Sequence, residues 1–327
     1  MINEALFFYS IVDREIIFIR KELQYLPKEQ WTKTPVYQKY RFCNVHRCYD
    51  KTYKLLMILS HRLAARNMGG LHPGLRTVLR WLASNELIEW CIDNLRYTTE
   101  LSTYIQKANC GHPEQLFAAA LDAYHQHKIK LCSGSFIVKR CGRDFEQMMN
   151  YYKVGTQFYE DGIQASELMT SEDAVKFFKK MAMYCSDFTA YCIVSDWLYL
   201  RPDKFTDKYK WTAYGPGAFS GINLLIPTTR KNYIEHIKEL HTLWCENAEE
   251  MLNYILKETG LTKEQLDTLC VEKGYLPMSK LLMKPLMLDV EHWLCEYAKY
   301  SRGYSRRRYV LSVRNVGTLY SGHRAVF

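Results

Sequence analysis

Glycine and proline are scarce in this chain, with 16 and 9 among 327 residues. That scarcity excludes collagen-like repeats, Gly/Pro-rich disorder and a fold of many short turn-linked strands, and it favours helices. No apolar run is long and charge-free enough to span a membrane. The opening "ALFFYSIVDREIIFIRKEL" is interrupted by Asp13, Arg14 and Glu15 and reads as an amphipathic helix. None of the 11 cysteines stands in a CxxC pair, and the start of the chain has no secretory pattern. The thiols are therefore expected to be reduced and the protein cytoplasmic. There is no GxxxxGK(S/T) loop and no glycine-rich turn after a strand, so ATP use is not expected.

What is present is ample material for a core, 48% hydrophobic residues with 14% aromatic, and a net charge of +9 that suits a polyanionic partner. Positive charge gathers in Arg41 to Lys54 and in the final "KYSRGYSRRRYVLSVRNVGTLYSGHR", interleaved with Tyr and Phe. Such a mixture meets phosphates and bases, or forms a solvated basic face and tail.

Apolar spacing places a first helix over residues 4–24 and an extended connector between Pro27 and Pro35. Phe42, Val45, Tyr49, Tyr53, Leu56 and Leu59 recur at helical intervals and leave Arg41, Asn44, Arg47, Cys48, Lys51 and Lys54 on a cationic side. "LCSGSFIV" reads as the one short strand, and the last strong helix runs from Pro285 to Gly303. The expectation is an all-α chain, residues 1–327 forming one compact helical unit, with room for two lobes around a DNA-binding cleft. Cys110, His112, His125 and His127 lie close in sequence, but their spacing matches no familiar zinc set, and His at i and i+2 face apart on a helix.

Two stretches invite chemistry. In "TAYGPGAFSGINLL", Gly215 and Gly217 allow positive φ and close backbone approach and Pro216 stiffens the turn, which either joins two helices or offers backbone amides to an anion at a helix start. On the last helix, Asp289, His292, Glu296 and Lys299 are spaced by three and four, along one face. They are either exposed ion pairs or a set of acid, base and cation.

The segments "WTKTPVYQKYRFCNVHRCYDKTYKLL", "CSGSFIV", "AYCIVSDWL", "YGPGAFSGINLL" and "LDVEHWLCEYAKYSRGYSRRRY", in this order, resemble the motifs of the α-glutamyl/putrescinyl thymine pyrophosphorylases. These are the phage amino acid:DNA transferases, a family that includes the helical domain of 5-hydroxymethyluracil DNA kinases. The resemblance spans about residues 31–309. It implies an all-helical fold akin to helix-hairpin-helix DNA glycosylases. The implied substrates are double-stranded DNA carrying pyrophosphorylated 5-hydroxymethyluracil and a free amino acid or polyamine; no membrane partner is expected.

By motif position, the resemblance makes Asp289 or Glu296 the general base and Lys299 a stabiliser of the leaving pyrophosphate. It makes Arg41, Asn44, Arg47, Asp50, Tyr300 and Arg302 substrate-binding, and Gly215, Gly217 and Ala218 the grip on a DNA phosphate. It points to no certain cofactor beyond a divalent metal that could assist, and no ATP is expected. His46, Cys48 and Tyr49 stand where the family has Arg, Glu and Asp, and Phe219 and Ser220 replace two Arg. A glycosylase-like enzyme that uses Asp289, and a non-catalytic helix-hairpin-helix DNA-binding protein, are the alternatives.

Overall fold

The computed structural model describes residues 2–40, 42–127, 129–132 and 145–305. In chain order the α-helices are α1 (Ile2–Phe18), α2 (Pro35–Lys39), α3 (Lys51–Ala64), α4 (Pro73–Leu82), α5 (Asn85–Asn94), α6 (Glu100–Asn109), α7 (Glu114–His127) and α8 (Phe145–Phe158). They continue as α9 (Ser171–Met181), α10 (Asp187–Leu200), α11 (Pro216–Ile222), α12 (Tyr233–Thr259), α13 (Lys263–Glu272), α14 (Met278–Met283) and α15 (Met287–Ser305). Single π-helical turns follow α1 at Ile19–Leu23 and α8 at Tyr159–Ile163. Among the described residues the only β-type pairing is an isolated bridge between Met169 and Phe205, so the chain is all-α. The strand expected in "LCSGSFIV" lies, beyond Cys132, outside the described residues. No described helix is long and apolar enough to cross a membrane.

The contacts divide the chain into two compact units. One is built from Met1–Arg47 together with the chain from Tyr209 onward; the other is the continuous stretch Cys48–Lys208. In the first, Phe8 meets Trp244 edge-on at 5.5 Å, and Trp244 meets Trp293 at 4.8 Å, so α1, α12 and α15 share one aromatic core. Burial of rings of this size supplies much of the driving force. α12 runs its full length because nothing breaks it before Gly260, whose left-handed φ of 69° closes the helix.

In the second unit every residue of α4 from Gly74 to Leu82 is buried, and α10 is buried from Thr189 to Tyr199. Trp81 stacks on Tyr151 at 4.1 Å between α4 and α8, and Phe158 lies against Phe178 at 4.8 Å. The helix starts follow the capping rules: Ser84 accepts from the Leu87 amide and Thr170 from the Asp173 amide.

Two expectations change. α1 is a helix, but its charged side is not left to solvent as an amphipathic pattern implies: Phe7, Phe8, Ile11, Val12 and Ile16 are buried, and so are Asp13, Arg14 and Glu15. The helix expected from Phe42 starts only at Lys51, after an irregular stretch over 42–46 and a 3₁₀ turn at Arg47–Tyr49. The reason is tertiary, because the backbone groups of that stretch are taken by side chains of α1 and α15.

Candidate functional site

Residues 42–47 are held open by side chains. Arg14 Nη2 donates to the carbonyls of Cys43 (2.7 Å) and Asn44 (3.1 Å), and Trp293 Nε1 donates to the carbonyl of Val45 (3.0 Å). His292 Nε2 donates to the Asn44 carbonyl at 3.1 Å, while the Cys43 amide donates to Glu296 Oε2 at 3.1 Å. A helix here would claim the same groups for its own i, i+4 ladder, and side-chain partners of this strength displace it.

The result is a buried polar centre between α1, residues 42–47 and α15. His46 lies between two carboxylates, its Nε2 3.2 Å from Glu15 Oε1 and its Nδ1 3.5 Å from Asp289 Oδ2, with all three side chains fully buried. Burial holds the Glu15 carboxyl up to about 7, against the pull of His46 and Arg14. Burial also opposes a charge on His46, but Asp289 and Glu15 outweigh it and raise the imidazole above its ordinary value. Asp289 further accepts from the amides of Leu286 (3.1 Å) and Arg47 (3.4 Å), so it caps the start of α15 and pins the 42–47 segment at once. His292, four residues before Glu296, is neutral: burial first, then Arg47 and Arg14, push its pKa well below the ordinary value.

Toward solvent the centre ends in Glu296, Lys299 and Cys43. Glu296 is buried and accepts from Lys299, whose side chain is 46% exposed. Desolvation lowers the Lys299 pKa, but Glu296 more than offsets it, so the ammonium is charged at neutral pH. Cys43 is exposed, and Asn44 is partly buried. Glu291, 6% exposed, carries a buried Oε2 with no hydrogen-bond donor; burial raises its carboxyl to about 7, and Arg47 offsets this in part.

α11 lies directly on this face of α15. A Cβ at Gly215 would overlap Glu291 Oε1, one at Gly217 would overlap Cys295 Sγ, and one at Gly221 would overlap the Leu294 carbonyl. Neither Gly215, at φ −118°, nor Gly217 has positive φ. The glycines therefore serve close approach of one helix to another, and Ala218 is fully buried in the same contact. Of the two properties these glycines offer, close approach is the one used, against α15, and no left-handed backbone is needed.

The 5-hmdU DNA kinase helical-domain family matches residues 3–308. The chain belongs to that family. No curated protein and no solved structure matches it. In this member of the family the structure brings Asn44, Arg47, Asp289, Glu296 and Lys299 together in one unit, and adds Arg14, Glu15, His46 and Glu291, which spacing alone did not single out. Tyr300 is buried and stacks on Tyr37 at 5.2 Å, so it packs the back of the centre. Asp50 belongs to the other unit, where it precedes α3 in extended conformation (φ −64°, ψ 144°). Arg41 and the side chain of Arg302 lie outside the described residues. Among the described residues no group of three or more His, Cys, Asp or Glu is arranged to hold a metal ion.

Proposed function

We propose that this chain is a DNA-base transferase of thymine hypermodification, replacing pyrophosphate on 5-pyrophosphomethyl-deoxyuridine in DNA with the amine of an amino acid or polyamine. The observation that carries the reading is the convergence, in a chain of the 5-hmdU DNA kinase helical-domain family, of the 42–47 and 289–299 segments on one buried polar centre with a half-exposed cation at its edge. A buried centre of this kind costs desolvation and is rarely retained for stability alone.

The reaction breaks the bond from the 5-methylene carbon to pyrophosphate oxygen, forms a carbon–nitrogen bond, and removes a proton from the incoming ammonium. Lys299, kept charged by Glu296, and Arg47 are suited to the charge that develops on pyrophosphate. Glu291 is suited to accept the proton, since its carboxyl titrates near neutrality and one oxygen has no donor. Asp289 and Glu296 have their oxygens engaged by backbone amides, His46 and Lys299. They are read as positioning residues that hold the 42–47 segment. Asn44 would hydrogen-bond the uracil edge after the base leaves the stack.

The test is mass spectrometry of nucleosides from pyrophosphomethyl-uracil DNA incubated with the protein and a panel of amino acids and polyamines. The expected result is a heavier nucleoside that names the amine, with Lys299→Ala losing at least tenfold in rate while retaining its fold. Recovery of unchanged pyrophosphorylated nucleoside with every amine would sink the reading. Phosphorylation of 5-hydroxymethyl-deoxyuridine DNA with ATP, the reaction in the family's name, is the second arm and would replace it.

A further inference from the structure

In the first unit the cationic side chains Arg14, His46, Arg47 and the half-exposed Lys299 are matched in number by Glu15, Asp289, Glu291 and Glu296. In the second unit a buried group has two guanidiniums to one carboxylate. Arg76 and Arg80 stand one helical turn apart on α4 and both face Asp196 on α10. Arg80 is well served, with Nε 3.2 Å from Asp196 Oδ1 and donating to the Cys192 carbonyl at 3.1 Å.

Arg76 is served poorly. Its Nη1 lies 3.8 Å from Asp196 Oδ2, beyond hydrogen-bond reach, and has no acceptor; its Nη2 has only the sulfur of Met57, at 3.8 Å. The residue is 4% exposed, and burial lowers its pKa, with Asp196 the carboxylate that opposes the shift and Arg80 adding to it. Two guanidiniums thus lean on one carboxylate in a desolvated interior, where a cation without an acceptor is strongly disfavoured. The partner of Nη2 is the sulfur of Met57, a partly exposed and unbranched side chain that can change rotamer readily.

We infer that Arg76, backed by Arg80, forms an anion-binding site in the Cys48–Lys208 unit for a small oxyanion of the phosphate or carboxylate type. A guanidinium offers the planar, paired donors that both oxyanions accept. Free pyrophosphate and the carboxylate of an amino acid share this chemistry. The site does not depend on the reaction proposed above, and its test involves no DNA.

The experiment is thermal unfolding and calorimetric titration of the full chain with pyrophosphate, phosphate and glutamate, each against sodium chloride at matched ionic strength. One of the three is expected to raise Tm saturably, by about 5 °C at a hundredfold excess over Kd; which one does so distinguishes the sources. Arg76→Met is expected to abolish the response while its anion-free Tm equals or exceeds that of the wild type. Met57→Ala, which uncovers Nη2 at a partly exposed position, is expected to lower Kd severalfold. No response beyond chloride in the wild type, a response that survives in Arg76→Met, or a Kd unmoved by Met57→Ala would each overturn the inference.

Discussion

Single residues decide the chemistry of the polar centre. Glu291 shows it most directly. Its carboxyl is held by burial at about 7 against an ordinary value of 4.5. The folded chain binds that proton more tightly than the unfolded chain does, so the contribution to stability is complete below pH 4.5 and is lost as the pH rises through 7. Glu291→Gln, a neutral side chain of the same shape, is expected to match the wild type at pH 4 and to exceed it by about 3 kcal/mol at pH 8. Urea denaturation at the two pH values reads this directly, and equal stability at both would remove the argument. In the proposed reaction the same variant loses product, and a protein made more stable and less active marks a residue kept for function.

Asp289, His292 and Glu296 were legible as one helical face from their spacing. Arg14 and Glu15 left a signal too, a charged triplet inside an apolar helix. That pattern argues equally for a surface helix and for a buried charge cluster, because periodicity reports which residues share a face and not what covers it.

At the scale of elements, the approach of α11 to α15 separates two readings of the same glycines. If Gly217 and Gly221 are there for packing, alanine costs stability in proportion to what its Cβ meets. At Gly221 that is the Leu294 carbonyl, which is backbone and cannot yield; at Gly217 it is the Cys295 thiol, which can rotate away. Gly221→Ala is therefore expected to cost roughly 3 kcal/mol or more and Gly217→Ala roughly 1 kcal/mol, read as shifts in the urea midpoint. A Gly217→Ala protein of unchanged stability that binds DNA more weakly would return the glycine to a phosphate contact. The helical pattern over 42–59 failed at its first half for a reason of the same scale. α1 and α15 supply the hydrogen-bond partners that turn residues 42–46 away from a helix, and those partners lie 29 and about 250 residues distant.

At the scale of the whole molecule, the two units differ in how the chain builds them. Cys48–Lys208 is continuous, whereas the other unit combines Met1–Arg47 with the chain from Tyr209 on. The continuous unit has its own core, in which Leu75, Val78, Trp81, Tyr151, Phe178 and Trp197 are buried. Expressed alone, residues 48–208 are expected to be helical and to unfold in one cooperative transition, followed by circular dichroism. Deletion of residues 2–18 is expected to unfold the first unit, since α1 carries Phe8 against Trp244 and Arg14 against the 42–46 backbone. Non-cooperative melting of the fragment, or a folded polar centre without α1, would show that the division is wrong.

Local order determined the helical class, most helix positions and the alignment of Asp289, His292, Glu296 and Lys299, because scarce breakers, capping residues and 3.6-residue spacing act over a few turns. The motif segments also carry the family's signature in local order. Burial was decided only in three dimensions. Whether Asp289 meets water or His46, whether residues 42–46 coil or extend, and which neighbour requires Gly217 to be small depend on elements far apart in the chain. Desolvation, which sets the protonation of Glu15, His46, Glu291 and His292, exists only once those elements have closed around them.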